Sequence, residues 1–334
     1  MNSFGRLYRI HIFGESHGES VGMVIDGVPA GILLGPGDFE DDFARRRSGA
    51  KGTTPRKEPD IPQIMSGLFE GRTTGAPVTF LFENTSARSR DYSKLKETPR
   101  PGHADYTASQ KFGGYQDYRG GGHFSGRLTL GLVAAGVIAK KIIDPVAVRA
   151  SLTEAGGSTE INAAVDRAVE EKDSIGGIVE CRISGVSAGL GEPFFDSVES
   201  VMSHLIFAIP AIKGIEFGSG FGAARMRGSQ HNDNIVDTDG TTGTNYAGGI
   251  NGGITNGNEV VFRVAVKPTS STHRSQRTMN FRTGEMEELA IGGRHDTCIA
   301  LRVPVVVEAA AAIVMADFML LSQERKRIFK PKTE

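Results

Sequence analysis

Only two cysteines, Cys181 and Cys298, occur in 334 residues, far apart and outside any CxxC pair. That argues against a disulfide framework or a thiolate zinc site, and it fits a reducing, cytoplasmic setting. An excess of one charge is missing as well: Lys and Arg number 38 and Asp and Glu 39, a formal net charge of -1. Chains that live on nucleic acid or on anionic membranes carry a sustained basic excess, so neither is expected as a partner. The longest apolar stretches, 128–139 and 309–316, fall short of the ~20 residues that span a bilayer and read as buried helices. Residues 1–18 hold no signal-peptide core, because Arg6, Arg9 and His11 interrupt them. No Gly-Lys dipeptide and no HExxH occur, and Gly218 to Gly222 lacks the third glycine of a dinucleotide fingerprint.

Glycine is the surplus. At 44 of 334 residues it is nearly twice the usual ~7 %, and without a three-residue period it marks tight turns and close backbone approaches. Residues 22–26, 78–82, 178–183 and 213–217 read as short apolar strands, and 259–266 as an alternating one. Helices are expected from about Asp38 to Arg47, acidic first and basic last as the dipole favours. Others are expected over 125–141, 159–171, 196–208 and from about Glu308 to Arg327. Residues 84–126 and 229–258 read as polar, glycine-rich loops, and loops that long in a compact domain are usually functional or mobile. One echo occurs: IDGVPAGI at 25–32 and ISGVSAGL at 183–190, each after an apolar strand and before a helix. Coincidence in a glycine-rich chain and a duplicated strand–turn–helix unit both account for it. The pattern describes a layered α+β domain, with candidate halves at 1–150 and 151–325.

The chemistry sits in segments that combine glycine, histidine and arginine. Gly14-Glu15-Ser16-His17-Gly18 sets a histidine among small residues, where its ring can face a ligand and pass a proton near neutral pH. A single histidine is more often structural. Arg100-Pro101-Gly102-His103-Ala104-Asp105 adds a second, with Asp105 as an orienting partner. Gly120 to Arg127 runs a glycine loop into a helix start, whose free N–H groups attract anions. Six basic residues within 45–57 (Arg45, Arg46, Arg47, Lys51, Arg56, Lys57) suit either a small polyanion or a solvated helix end. Lys267-Pro268-Thr269-Ser270-Ser271 and Arg294-His295-Asp296-Thr297-Cys298 each set a cation beside hydroxyl or carboxylate groups, as a phosphorylated cofactor requires.

Several of these motifs are long. GESHGESVGMVIDGVP (14–29), RPGHADYT (100–107), the triple-glycine loop with Ser125 and Arg127, AGGINGGITNG (247–257), KPTSS (267–271) and GRHDTC (293–298) together resemble the chorismate synthase family, in order, from about residue 4 to 325. The resemblance implies a lyase that turns 5-enolpyruvylshikimate 3-phosphate into chorismate and phosphate by 1,4-elimination, in aromatic amino acid biosynthesis. It implies a requirement for reduced FMN without net redox change, and no metal. It also implies one catalytic domain over 1–334, an α/β sandwich with helices packed between antiparallel sheets, assembled as a cytoplasmic homotetramer. His17 matches the position that protonates the departing phosphate, His103 the one that holds or protonates the reduced flavin. Asp296 matches the carboxylate that helps remove the ring proton. Arg46, Arg100 and Arg127 match substrate-gripping positions, and Arg46 and Lys51 match NADPH-binding ones, with Lys51 in place of an arginine. The FMN positions map to His123, Phe124, Ser125, Pro210, Ala211, Gly252, Lys267, Pro268, Thr269, Ser270, Ser271 and Arg294.

One stretch departs from the commoner family pattern GGRSSAR: here it reads Gly121-Gly122-His123-Phe124-Ser125-Gly126-Arg127. His123 offers at most a titratable cation and Phe124 no hydroxyl, which predicts weaker FMN binding at high pH. The resemblance uses nearly all of the chain, so a monofunctional enzyme is expected, with NADPH acting through a separate flavin reductase. The competing readings are an oxidoreductase that consumes reduced flavin, and an FMN-storing or RNA-associated protein using the patches at 45–57 and 88–100. Asp91 and Glu97 balance the second patch, and no aromatic stacking stripe accompanies it.

Overall fold

The computed structural model describes residues 2–56, 58–85, 95–292 and 295–324. Lys57 and Arg294, most of the 88–100 patch and the expected helix end at 325–327 lie outside the described residues.

The first half of the chain carries β1 (Ser3–Phe4), β2 (Arg9–Gly14), β3 (Ser20–Asp26), α1 (Glu40–Arg46), β4 (Gln63–Ser66), β5 (Leu68–Phe69), β6 (Arg72–Thr73), β7 (Val78–Glu83), α2 (Asp105–Phe112) and α3 (Thr129–Ile143). The second carries β8 (Ala147–Ala155), α4 (Ile161–Glu170), β9 (Gly177–Ser184), α5 (Val198–Ile206), β10 (Ile212–Phe217) and α6 (Gly228–His231). It continues with β11 (Ile250–Asn251), β12 (Ile254–Thr255), β13 (Val260–Val266), β14 (Gln276–Asn280), β15 (Glu285–Leu289) and α7 (Val303–Glu324). Two main sheets form, ordered β1-β2-β3-β7-β4 and β10-β13-β9-β8, and every described strand pairing is antiparallel.

Period-two patterning builds the inner strands. In β13 every second residue is buried, Val260, Phe262, Val264 and Val266, as a sheet with one covered face requires. In β7 the same alternation buries Val78, Phe80 and Phe82. Phe39 and Phe43, on and just before α1, meet those rings at centroid distances of 5.3 and 5.8 Å and pin the helix to the sheet.

Helices α3 and α7 pack against each other between the sheets, α3 touching β3 and α7 touching β8 and β9. Residues 129–139 are buried on all sides, and so are 305–317, which is the reading appropriate to helices apolar all round. Gly136 permits the close crossing: a Cβ there would stand 2.3 Å from the Cβ of Ala309. Ile299–Gln323 is long and apolar enough to cross a membrane, and 78 % of its apolar window is buried inside the fold. Two acids on α7 are satisfied in this interior. Glu308 accepts from Arg45 at 2.6 and 2.7 Å and from the Ala150 N–H at 2.8 Å. Asp317 accepts the N–H groups of Arg6, Leu7 and Tyr8.

The expected loops contain more structure than their composition suggests. Residues 84–126 hold α2, whose sequence DYTASQKF buries only Ala108 and so shows no apolar period. Residues 229–258 hold α6 and the β11–β12 hairpin. Helix α7 starts at Val303, five residues before the expected Glu308.

Candidate active site

A cavity of about 1250 Å³ lies where the connection from β7 to α3 meets the connection from β13 to α7. Its geometry starts with the triple-glycine loop. Gly120, Gly121 and Gly122 have φ of 59°, 81° and 52°, a left-handed run that residues with a Cβ adopt only with strain. A Cβ on Gly120 would lie 2.4 Å from Cδ2 of His17, and one on Gly121 would lie 3.4 Å from Cε1 of His103. The loop therefore passes between the two histidines with no room for a side chain on the His17 side. The Ser16 N–H donates to the Gly122 carbonyl at 3.1 Å and closes the 14–17 turn onto the loop. Ser16 and Gly120 line the cavity, and the buried ring of His17 packs behind them.

His103 stands on the cavity wall with Nδ1 2.6 Å from Oδ1 of Asp105. With Asp105 ionised, Nδ1–H donates and Nε2 is left as the acceptor. Burial lowers the His103 pKa and Arg100 adds to this, while Asp105 opposes it. Burial works against the charge on Asp105, but the hydrogen bonds from Arg100 and His103 outweigh it and hold the carboxyl far below its ordinary range. Arg100 grips Asp105 through Nε at 2.7 Å and Nη2 at 2.8 Å, and its Nη1 donates to Ser271 Oγ at 3.0 Å.

Arg46 and Arg127 share one carboxylate, Asp60. Arg46 Nη1 lies 3.3 Å from Oδ2, Arg127 Nη1 bonds Oδ1, and all three side chains are buried. Burial draws the Arg46 guanidinium down to about 9, with Arg302 and Arg127 pushing the same way and Asp60 opposing. It keeps its charge at neutral pH. Its Nε also donates to Thr129 Oγ1 at 3.1 Å.

Asp296 has both oxygens engaged: Oδ1 accepts the Thr54 N–H at 2.9 Å and Oδ2 accepts Arg302 Nη2 at 2.6 Å. Arg56 pairs with Glu58 at 2.6 Å and reaches Ser16 Oγ at 3.2 Å. Lys267 is different, because it bonds the Gly102 carbonyl at 3.1 Å and Ser270 Oγ at 2.7 Å but no carboxylate among the described residues.

Of the residues singled out from the sequence, His103, Asp296, Arg46, Arg100, Arg127, His123, Phe124, Ser125, Pro210, Ala211 and Lys267 through Ser271 all line this cavity. His17 and Lys51 do not: His17 is buried against Gly120, and Lys51 is exposed and paired with Asp166 at 2.6 Å. Gly252 lies in the turn of the β11–β12 hairpin, away from the cavity lining. The ring nitrogens of His123 are taken up by the protein, Nδ1 2.9 Å from the Gly14 carbonyl and Nε2 3.1 Å from Asn2 Oδ1. Phe124 meets Phe112 of α2 at a centroid distance of 6.3 Å. Asp60, Glu58, Thr54, Arg302 and Lys213 also belong to the site's surroundings and carry no sequence signal beyond being polar residues near other motifs.

A family model for chorismate synthase matches residues 8–320. A chorismate synthase from Chitinophaga pinensis is 64 % identical over 331 residues, covering 99 % of this chain and 100 % of that protein. One from Dehalococcoides mccartyi is 45 % identical, covering 98 % and 99 %, and one from Methanosarcina mazei is 44 % identical, covering 96 % of each. A solved structure described as the crystal structure of chorismate synthase aligns with a TM-score of 0.73 at 26 % identity, covering 95 % of this chain and 93 % of that one. Matched in motif order, sequence and fold over nearly its whole length, the chain belongs to the chorismate synthase family, lyases of the shikimate pathway.

Proposed function

We propose that the chain converts 5-enolpyruvylshikimate 3-phosphate to chorismate and phosphate by 1,4-elimination, with reduced FMN held in the same cavity. The observation that carries this reading is the convergence of both β-to-α connections on one large cation-lined hollow. Pockets for a single small ligand measure ~300–1,000 Å³, so about 1250 Å³ suits a cofactor and a substrate together. The lining fits the pair in chemistry as well. Lys267, Ser270 and Ser271 offer donors to a phosphorylated cofactor, while Phe124, Leu132, Ile299 and Val306 offer apolar wall to a flat ring.

Reduced FMN, when bound, supplies electron density that eases loss of the allylic phosphate and is recovered as the product forms. The protein's own part is to hold anions and move protons. Arg46 and Arg127, preset by Asp60, supply positive charge to anionic groups of the substrate. His17, packed on the bare face of Gly120, gives the proton to the leaving phosphate. His103, its Nδ1 fixed by Asp105, presents Nε2 to the reduced flavin. Asp296, oriented by Arg302 and the Thr54 N–H, is the carboxylate that takes part in removing the ring proton. Proton transfers of this kind each contribute ~10²–10⁴ in rate.

The same reading keeps the chain monofunctional and assembled as a homotetramer, with NADPH acting through a separate flavin reductase. The deciding experiment is anaerobic incubation of the protein with photoreduced FMN and the phosphorylated substrate. Many phosphates released per flavin, with the flavin still reduced at the end, is the expected outcome. Stoichiometric flavin oxidation would favour the oxidoreductase instead, and absence of phosphate release would remove the lyase reading.

A further inference from the structure

The cations on the cavity wall fall into two classes. Arg46, Arg56, Arg100, Arg127 and Arg302 each have a carboxylate partner. Lys213 and Lys267 have none among the described residues, and neither does the exposed Arg47, which only reaches the Pro59 carbonyl at 3.4 Å. Arg56, Arg100 and Arg302 each have a carboxylate and supply shape with little net charge, and Arg46 and Arg127 share Asp60 and keep one net charge between them, whereas each unmatched ammonium supplies its full charge.

Backbone geometry brings the two lysines together. In the β10–β13 pair, Ile212 faces Val266 and Gly214 faces Ala265, so Lys213 is the extra residue of a β-bulge. A bulge lets two neighbouring residues of one strand approach the same side; Ile212 and Lys213 both line the cavity. The ladder continues past the bulge, with the Lys267 N–H donating to the Ala211 carbonyl at 2.9 Å. Lys267 therefore emerges from the same end of the pair. Burial lowers its pKa, and the nearby charge of Lys213 lowers it further, as expected for two ammonium groups with no anion between them.

We infer that Lys213 and Lys267 form a subsite for a phosphate monoester dianion, with Lys213 as a binding residue additional to those the family resemblance supplies. Ser270 Oγ, already within 2.7 Å of Lys267 Nζ, is the adjoining hydroxyl. The inference rests on the proposed reading of the cavity for the identity of the ligand, which is either the cofactor's phosphate or the substrate's. Both have the same chemistry, and the experiment separates them.

Lys213 is exposed, so its replacement spares the core. Three probes are applied to Lys213→Ala and Lys213→Arg: oxidised FMN against riboflavin by fluorescence quenching, substrate KM at saturating reduced FMN, and the shift of thermal midpoint with inorganic phosphate. Loss of one charge-assisted hydrogen bond corresponds to roughly tenfold or more in affinity. If the cofactor's phosphate sits there, Lys213→Ala weakens FMN about tenfold and leaves riboflavin unchanged. If the substrate's does, KM rises by a similar factor and FMN binding is unchanged. In both cases Lys213→Arg keeps most of the affinity, and the phosphate-induced shift is lost in the alanine variant. The subsite is overturned if the phosphate shift is absent in the unmodified protein or survives in Lys213→Ala. A phosphate shift that depends on Lys213, in a protein that neither binds FMN nor releases phosphate from the substrate, keeps the subsite and sinks the proposed function instead.

Discussion

In the first half of the molecule the strands run β2-β3-β7-β4 across the sheet, and in the second β8-β9-β13-β10. Each half turns out of its second strand through a glycine, Gly27 or Gly185, with φ of 78° in both. Each then buries a valine, Val28 or Val186, to the same 3 % exposure. A helix, an edge strand, an inner strand and a long central helix follow in the same order. The connections that end the two halves are where they part. The first carries Arg100, His103, Asp105 and Arg127, cations matched by carboxylates. The second carries the unmatched Lys267 and its hydroxyls, and then Asp296 with Arg302. Helices α1 and α5 differ in the same sense, since α1 brings the buried cation Arg46 to the cavity while α5 brings His204 and Leu205 and buries Val198, Met202 and Ile206. The same order of elements thus brings two chain segments together, and the segments differ in whether their charge is preset for shape or left over for an anion.

The largest effect should come from breaking the preset side. Asp60→Ala leaves two buried guanidiniums without their shared anion, and loss of one partner of a buried pair costs about 3–5 kcal/mol. Urea unfolding should show that loss, while Lys267→Ala, on the unmatched side, should stay within about 0.5 kcal/mol of the parent. A cost under about 1 kcal/mol for Asp60→Ala would mean that the two classes of cation do not differ as the ion pairs indicate.

Next in size is a pair of glycine replacements, one in the first connection and one at the seam between halves. Gly120→Ala drives a methyl into the His17 ring at 2.4 Å, and displacement of the proposed proton donor should slow turnover by ~10²–10⁴. Gly136→Ala drives a methyl into Ala309 at 2.3 Å, and overpacking of this kind costs about 1–3 kcal/mol. Turnover per folded molecule should survive the second change. Equal loss of turnover in both variants would show that the loop and the seam are not separable.

How much of this was legible in the sequence depends on how local the signal is. The strand β13 announces itself, because VVFRVAV alternates and its burial alternates with it. The edge strand β8 also alternates, but through arginine, serine and threonine rather than large apolar residues, and α2 offers one buried alanine. Neither carries a pattern strong enough to stand out. In the site, His103 and Asp105 are two residues apart and their contact could be expected from spacing. Asp60 could not, since its partners are 14 and 67 positions away and its own segment has no period. Lys213 was hidden for a different reason: a strand residue's direction follows from register, and the bulge that turns it is set by the partner strand.

The smallest predicted effect compares the histidines of the two connections. Burial lowers the pKa of both His103 and His295, with Asp105 opposing it in the first and the Gly292 carbonyl in the second. The fold therefore prefers each ring neutral. Below about pH 6.5 the unfolded chain takes up protons that the native state resists, so native stability falls as the pH is lowered through this range. Titration of the ring proton resonances should place both midpoints below 6.5, the ordinary value. Asp105→Asn removes the carboxylate that raises His103, so its midpoint should fall further while that of His295 moves less. A His103 midpoint above the ordinary value would mean that the Asp105 charge outweighs burial, and the ring would then enter catalysis as a cation rather than as the acceptor its geometry supplies.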